Sequence, residues 1–380
     1  MDAVLVAAAV VALDRVHRPG WVQVAGGRIE AVGAGAPPPG EVVDLGDAVL
    51  VPGFVDVHCH GGGGASFGED ADASAAAAAA HLAHGTTSVV ASLVTGPHDR
   101  MLREIASLAA LVDDSVIAGI HLEGPWLSHA QCGAHDPQQL RAPALEEVRA
   151  LVASPAVRMV TLAPELDGGL DAVRAIVDSG AVAAIGHTDA DHATARAAIA
   201  AGATQATHLF NAMRPLRHRD PGPILALLED DRVALELVRD GVHLDPDLCA
   251  WLDATVPQHR LVAVSDAMAA AGGDDGRYVL GSLDVEVAGG VARIAGTDTI
   301  AGSTATADAL FRAVAGTAYD DSSLLRAGLQ TATNPARALG LAGVGALTPG
   351  VGADAVVLDP GALTVRGVLR AGAWVSGPSA

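Results

Sequence analysis

Two histidines one residue apart, His58 and His60, close an apolar run that begins at Val51 and gives way to four glycines. In an extended strand alternate side chains share a face, so both imidazoles point one way and Cys59 the other. Neutral imidazoles held side by side at a strand's end are the start of a divalent-metal site. The same spacing suits a pair of solvated loop histidines, so the pattern decides nothing by itself. Weight comes from Glu123, His187, His208 and Asp266, each of which stands directly after a strand-like run.

Catalytic sites for zinc-like ions take about three protein ligands and leave one position for water, whose pKa the ion lowers toward ~7. Glu123, His187 and His208 supply such a set. His58 and His60 would complete a second, with Glu123 spanning both ions. The chain contains no lysine, so a carboxylated lysine cannot do the bridging. Asp266 is the natural proton carrier, taking a proton from water and passing it to a leaving group. A carboxylate so near a dication stays ionised until that transfer. Singly, each residue has an ordinary reading as a core histidine or a helix-capping acid; six at equivalent places do not.

A barrel brings such scattered residues together at the ends of its strands. Strand-like runs ending at His60 and spanning Thr86–Leu93, Val116–Leu122, Val157–Ala163, Val182–Gly186, Thr204–Thr207, Val233–Val238 and Leu261–Val264 alternate with mostly helical crossovers. That alternation implies a parallel sheet covered by helices, and eight strands imply a (β/α)8 TIM barrel, whose strand ends meet at one mouth. The expected fold class is therefore α/β. Residues 51–343 form the barrel, with a β-hairpin insertion near 272–302. Residues 1–50 and 344–380 carry short strands and turn signals, and read as one discontinuous β-sandwich domain.

Composition narrows the function. All 23 basic residues are arginine, which excludes a Schiff-base lysine, covalently held pyridoxal phosphate and a P-loop lysine. A net charge of −21 argues against nucleic acid or an anionic membrane as partner. Three irregularly spaced cysteines indicate a reducing compartment. The apolar opening Val4–Ala12 lacks a basic flank and is too short to span a bilayer. A cytoplasmic location is expected.

His58-Cys59-His60, the strand-end His187 and His208, and Ser265-Asp266 resemble the amidohydrolase superfamily. More narrowly, His121-Leu122-Glu123-Gly124-Pro125-Trp126, Thr207-His208-Leu209-Phe210-Asn211-Ala212-Met213, Asp240-Gly241-Val242-His243 and Gly296–Ser303 are similar to the N-acetylglucosamine-6-phosphate deacetylase family. The resemblance implies metal-dependent hydrolysis of the acetamido group of an amino-sugar 6-phosphate, releasing acetate and the free amine. It implies that His135 hydrogen-bonds the carbonyl or its oxyanion. Ala134, Asn211, Ala212, Met213, Arg219, His243 and Ile300 are then the substrate contacts, and Arg suits phosphate through its planar fork. Arg214 and Arg217 read equally well as an exposed basic loop.

In that family some phosphate contacts come from a neighbouring subunit, which implies a homodimer with the active site near the interface. Some members carry Gln and Asn where His58 and His60 stand and hold one metal, so keeping both histidines favours two. Imidazole and carboxylate suit zinc, iron, manganese or cobalt alike. Alternatives are a deacetylase for the galactosamine epimer, an N-acyl-amino-acid deacylase, a cyclic-amide hydrolase, or a catalytically dead relative used for assembly.

Overall fold

The structure is a computed structural model that describes residues 1–317 and 319–378. The chain divides into two compact units: Met1–Asp56, Ala79–Val89 and the chain from Thr306 onward make one, and Val57–Ala78 with Val90–Ala305 make the other.

The first unit is a β-sandwich built from both ends of the chain. Four strands, Arg28–Ala34, Gly20–Ala25, Ala3–Ala7 and Val42–Asp44, form one sheet in that order. The second sheet has six strands and joins Ala9–Val11 and Val49–Pro52 to the C-terminal strands Ala355–Leu358, Val365–Arg370 and Ala373–Ser376. Leu5, Val22, Val24 and Ile29 of the first sheet pack on Val10, Leu50, Val357 and Leu369 of the second. The opening apolar run is thus two strands in different sheets. A hydropathy run reports burial but not which sheet is joined, so this break is hidden in the sequence.

The eight barrel strands are Phe54–Cys59, Thr86–Val94, Gly119–Glu123, Val157–Leu162, Val182–Ile185, Gln205–Ala206, Ala234–Val238 and Leu261–Val264, hydrogen-bonded in sequence order. The first and eighth meet where the His60 N–H donates to the Ala267 carbonyl at 2.7 Å and the Asp266 N–H to the His58 carbonyl at 2.8 Å. Short parallel strands buried on both faces need continuous apolar runs, and Leu261–Val264 is buried throughout. Between the sixth and seventh strands the Arg- and Pro-rich loop is followed by a helix, Gly222–Glu229, absent from the sequence expectation. The insertion after the eighth strand is a three-stranded sheet, Gly276–Leu280, Leu283–Ala288 and Val291–Ile294. Among the described residues no helix is long and apolar enough to cross a membrane.

Candidate functional site

Five imidazoles converge on one carboxylate at the barrel mouth, four of them in two pairs. Nε2 of His58 lies 3.1 Å from Nε2 of His60, and Nε2 of His187 lies 3.1 Å from Nε2 of His208. Between the pairs, Glu123 Oε1 is 3.4 Å from His58, 3.2 Å from His187 and 3.1 Å from His208. Its Oε2 is 3.2 Å from His60 and 3.3 Å from His135 Nε2. Asp266 Oδ1 stands 3.3 Å from His60 and 3.4 Å from His58. All seven side chains are buried.

The outer ring nitrogens decide where the protons sit. His60 Nδ1 faces the Ser92 carbonyl at 3.2 Å and His187 Nδ1 the Gln131 carbonyl at 2.9 Å. His58 Nδ1 faces a Glu236 carboxylate oxygen at 3.1 Å. Carbonyls and carboxylates accept, so these rings carry hydrogen at Nδ1 and, when neutral, aim the Nε2 lone pair inward. Lone pairs brought this close away from water need positive charge among them. The donor set therefore fits a divalent ion, in two overlapping groups: His58, His60 and Glu123, and Glu123, His187 and His208, with ligand atoms inside each group within 4.8 Å of one another.

Protons compete for the same places. Burial works against a charged His60, yet the Asp266 and Glu123 carboxylates push its pKa up to about 9, and His58 is raised in the same way. Burial and His135 push His187 down to about 4. Burial also opposes ionised Glu123 and Asp266, but His58 and the other imidazoles outweigh it and hold both well below the usual carboxylate range.

The backbone turns sharply to make this cluster. His187, His208 and Asp266 have φ of +49°, +27° and +47°, a region non-glycine residues seldom enter and one associated with functional sites. Each turn is pinned by a neighbour: Ser128 N–H donates to the His187 carbonyl, Asn211 N–H to that of His208 and Ser303 N–H to that of Asp266. Gly133 has φ +57°, and a Cβ there would meet His187 Cε1 at 3.0 Å, so the loop can cross the ring only as glycine.

A cavity of about 430 Å³ opens over the cluster. His60, Glu123, His187, His208, Asp266 and His135 line it, as do Ala134, Asn211, Ala212, His243 and Ile300. His58 and Met213 are buried outside that lining, and Arg219 is exposed away from it. Among the described residues no arginine lines the cavity. Arg214 is committed to Asp220 at 2.6 Å.

Two histidines at the rim have defined roles as donors. Thr95 N–H approaches His135 Nδ1 at 3.4 Å, which leaves the hydrogen on Nε2, the atom facing Glu123. His243 Nδ1 is 2.7 Å from Asp240 Oδ2, and its Nε2 is 3.9 Å from Asp266 Oδ2. Burial disfavours charge on His243, but Asp240 and Asp266 raise its pKa.

Beneath the ligands the barrel interior is polar. Ser92 Oγ bonds His121 Nδ1 at 2.9 Å, His121 Nε2 bonds Thr161 Oγ1 at 2.8 Å, and Thr161 Oγ1 bonds Thr207 Oγ1 at 2.7 Å. Burial drives the His121 pKa well down, so this ring is neutral. Glu236 and Gln205 belong to the same layer, and reading the sequence picked out neither. The available signal was a lone acid inside the apolar strand Ala-Leu-Glu-Leu-Val.

Residues 49–375 match the Amidohydrolase family. The chain is 39% identical over 351 residues to the N-acetylglucosamine-6-phosphate deacetylase of Bos taurus, covering 87% of this chain and 84% of that protein. It is 50% identical to a mutant of the N-acetyl-D-glucosamine-6-phosphate deacetylase of Mycobacterium smegmatis, solved with N-acetyl-D-glucosamine-6-phosphate. That superposition has a TM-score of 0.96 over 99% of this chain and all of the other. The Pasteurella multocida enzyme of the same name matches at 27% identity and a TM-score of 0.92, over 99% of this chain and 100% of that one.

Proposed function

The chain belongs to the amidohydrolase family, and from that premise we propose that it is a hydrolase of linear amide C–N bonds. Its reaction removes the N-acetyl group of N-acetylglucosamine 6-phosphate, giving glucosamine 6-phosphate and acetate. The observation that carries this reading is the buried Glu123 carboxylate set between two histidine pairs, with Asp266 facing them at the floor of the cavity.

Glu123, His187 and His208 would hold one divalent ion, and His58 and His60 a second that shares Glu123. Bound there, such an ion supplies Lewis acidity, polarising the amide carbonyl and lowering the pKa of water. Asp266, held ionised, is the base that takes the proton of the attacking water. As the C–N bond breaks, the same carboxylic acid returns that proton to the departing amine nitrogen. His135 presents Nε2–H to the carbonyl oxygen, where negative charge grows as the carbon becomes tetrahedral. The outer hydrogen bonds of His58, His60 and His187 hold those rings still while this happens.

The sugar occupies the cavity against Ala134, Asn211, Ala212, His243 and Ile300, with its phosphate toward the loop that carries Arg219. Arg219 is assigned to the phosphate, and, as the family resemblance implies, some phosphate contacts come from the neighbouring subunit of a homodimer. The protein works in the cytoplasm on amino-sugar phosphates. Its domains in this reading are the sandwich of residues 1–50 and 344–380 and the barrel of residues 51–343. Acetate release tests the activity: it should be fast from N-acetylglucosamine 6-phosphate and slow from the galactosamine epimer and from the unphosphorylated sugar. No release from any N-acetyl sugar phosphate by metal-replete protein would overturn the assignment.

A further inference from the structure

Glu236 sits in the seventh barrel strand with no exposed surface. A carboxylate so placed needs its hydrogen bonds and its charge answered locally. The partners the structure gives it are the Gln205 side-chain amide on Oε1, and His58 Nδ1 at 3.1 Å and the His208 backbone N–H at 3.2 Å on Oε2. None of these is an arginine. The only group among them that can bring compensating positive charge is His58, through whatever sits on its Nε2. Behind the other two well-anchored rings there is only a neutral carbonyl, from Ser92 or Gln131.

That asymmetry points to a division of labour. We propose that Glu236 is the positioning residue that sets occupancy of the His58/His60 metal position, and thereby whether this protein carries two ions or one. It does so by fixing the Nδ1–H form of His58 and by placing a buried negative charge directly behind that ligand. A carboxylate behind a ligating imidazole fixes its orientation and raises its basicity, so it strengthens the bond on the opposite nitrogen. Its contact to His208 is to the backbone, which steadies the turn but does not act on that ring. The inference rests on the two-metal reading above and deepens it.

The test is a titration of metal-stripped wild type and E236Q with Zn²⁺ against a chromophoric chelator. Bound metal is counted by mass spectrometry and the fold of each stripped protein is checked by its Tm. Glutamine keeps the shape and can still accept the His208 N–H, but removes the charge. The expected result is two affinities in the wild type. In E236Q the weaker falls by roughly 10- to 100-fold, while the tighter and the stripped-protein Tm stay as they were. E236L, which also removes the acceptor, should lose the weaker position further. The proposal is overturned if E236Q keeps both affinities, if both fall together with the Tm, or if the wild type binds only one ion and E236Q leaves it alone. A wild type that takes up no divalent ion removes the metal reading itself, an outcome the first arm separates from the rest.

Discussion

Nε2 of His187 lies 3.1 Å from Nε2 of His208, and the far nitrogen of His187 is committed to the Gln131 carbonyl at 2.9 Å. With burial holding His187 neutral near pH 7, its lone pair faces His208 Nε2 and, at 3.2 Å, Glu123 Oε1. A cation held among these three groups would satisfy them together, so folding stability and metal binding should be linked. Dialysis against a strong chelator should abolish acetate release and lower the Tm by several degrees, since a ligand at 1,000 times its Kd adds about 4 kcal/mol. Readdition of Zn²⁺, Mn²⁺ or Co²⁺ should restore both. A chelated protein with wild-type Tm would show that no ion is part of the fold.

Asp266 faces the same cluster but is assigned the proton, not the ion. Asp266→Asn preserves shape and should keep the metal at the Glu123, His187 and His208 position, while kcat falls by ~10²-fold or more, the usual contribution of a general acid–base group. Metal counting alongside acetate release distinguishes this from simple loss of the ion. Turnover near wild type would remove Asp266 from the proton path.

His135 gives a sharper test of tautomer. Because Thr95 N–H points at Nδ1, only Nε2–H is available to a carbonyl oxygen. His135→Asn retains a donor and His135→Phe does not. The Phe variant should therefore lose about 10²- to 10³-fold in kcat, the range for an oxyanion donor, and the Asn variant less. Equal activity of the two would place His135 outside the oxyanion contact.

Much of this centre was legible because its signals are local. Apolar runs ending in His, Glu or Asp marked strand ends, and barrel topology gathers strand ends without further information. What stayed hidden was whatever depends on the inward parity of a strand buried on both faces. Glu236 and Gln205 lie on strands whose apolar neighbours give no sign of which side faces the axis. His121 is two residues before Glu123 on one strand and so shares its face, yet its role is to hold up the barrel floor rather than to ligate. The helix Gly222–Glu229 was masked by the arginines and prolines before it. Arg219 illustrates the opposite limit: its type suits phosphate, but residue type says nothing about which side of a loop it decorates.

Arg219 is exposed on this chain and outside the cavity lining, and its proposed contact is with the substrate phosphate. Arg219→Ala should raise KM for N-acetylglucosamine 6-phosphate by at least ~10-fold, consistent with losing a charge-assisted hydrogen bond of about 1.5–3 kcal/mol. The low activity on unphosphorylated sugar should not change. Sedimentation should report the same assembly state for variant and wild type, which separates lost phosphate recognition from lost assembly. An unchanged KM would take Arg219 out of the phosphate site.

The sandwich unit carries its own pH dependence, through a pair in which Asp308 is buried and His84 is half-exposed. Asp308 accepts from Thr306 Oγ and from Arg312 at 2.7 Å, and its Oδ1 is 3.2 Å from His84 Nδ1. Burial opposes its charge, but His84, Thr306 and Arg312 outweigh burial and pull its pKa well below the ordinary value. His84 is raised, first by Asp308. A depressed acid stabilises the fold above its unfolded pKa of about 3.9 and loses that contribution as pH falls through the folded value. A raised histidine contributes fully below its unfolded pKa of about 6.5 and loses its share as pH rises through the folded value. The pair should therefore stabilise most between about pH 4 and 6.5. Asp308→Asn should cost about 1–3 kcal/mol there, as expected for a broken buried network. Urea unfolding at about pH 3, 5.5 and 8.5 checks it: the gap between wild type and variant should be widest at the middle pH. A gap that is flat across the three would mean that packing, not charge, holds Asp308 in place.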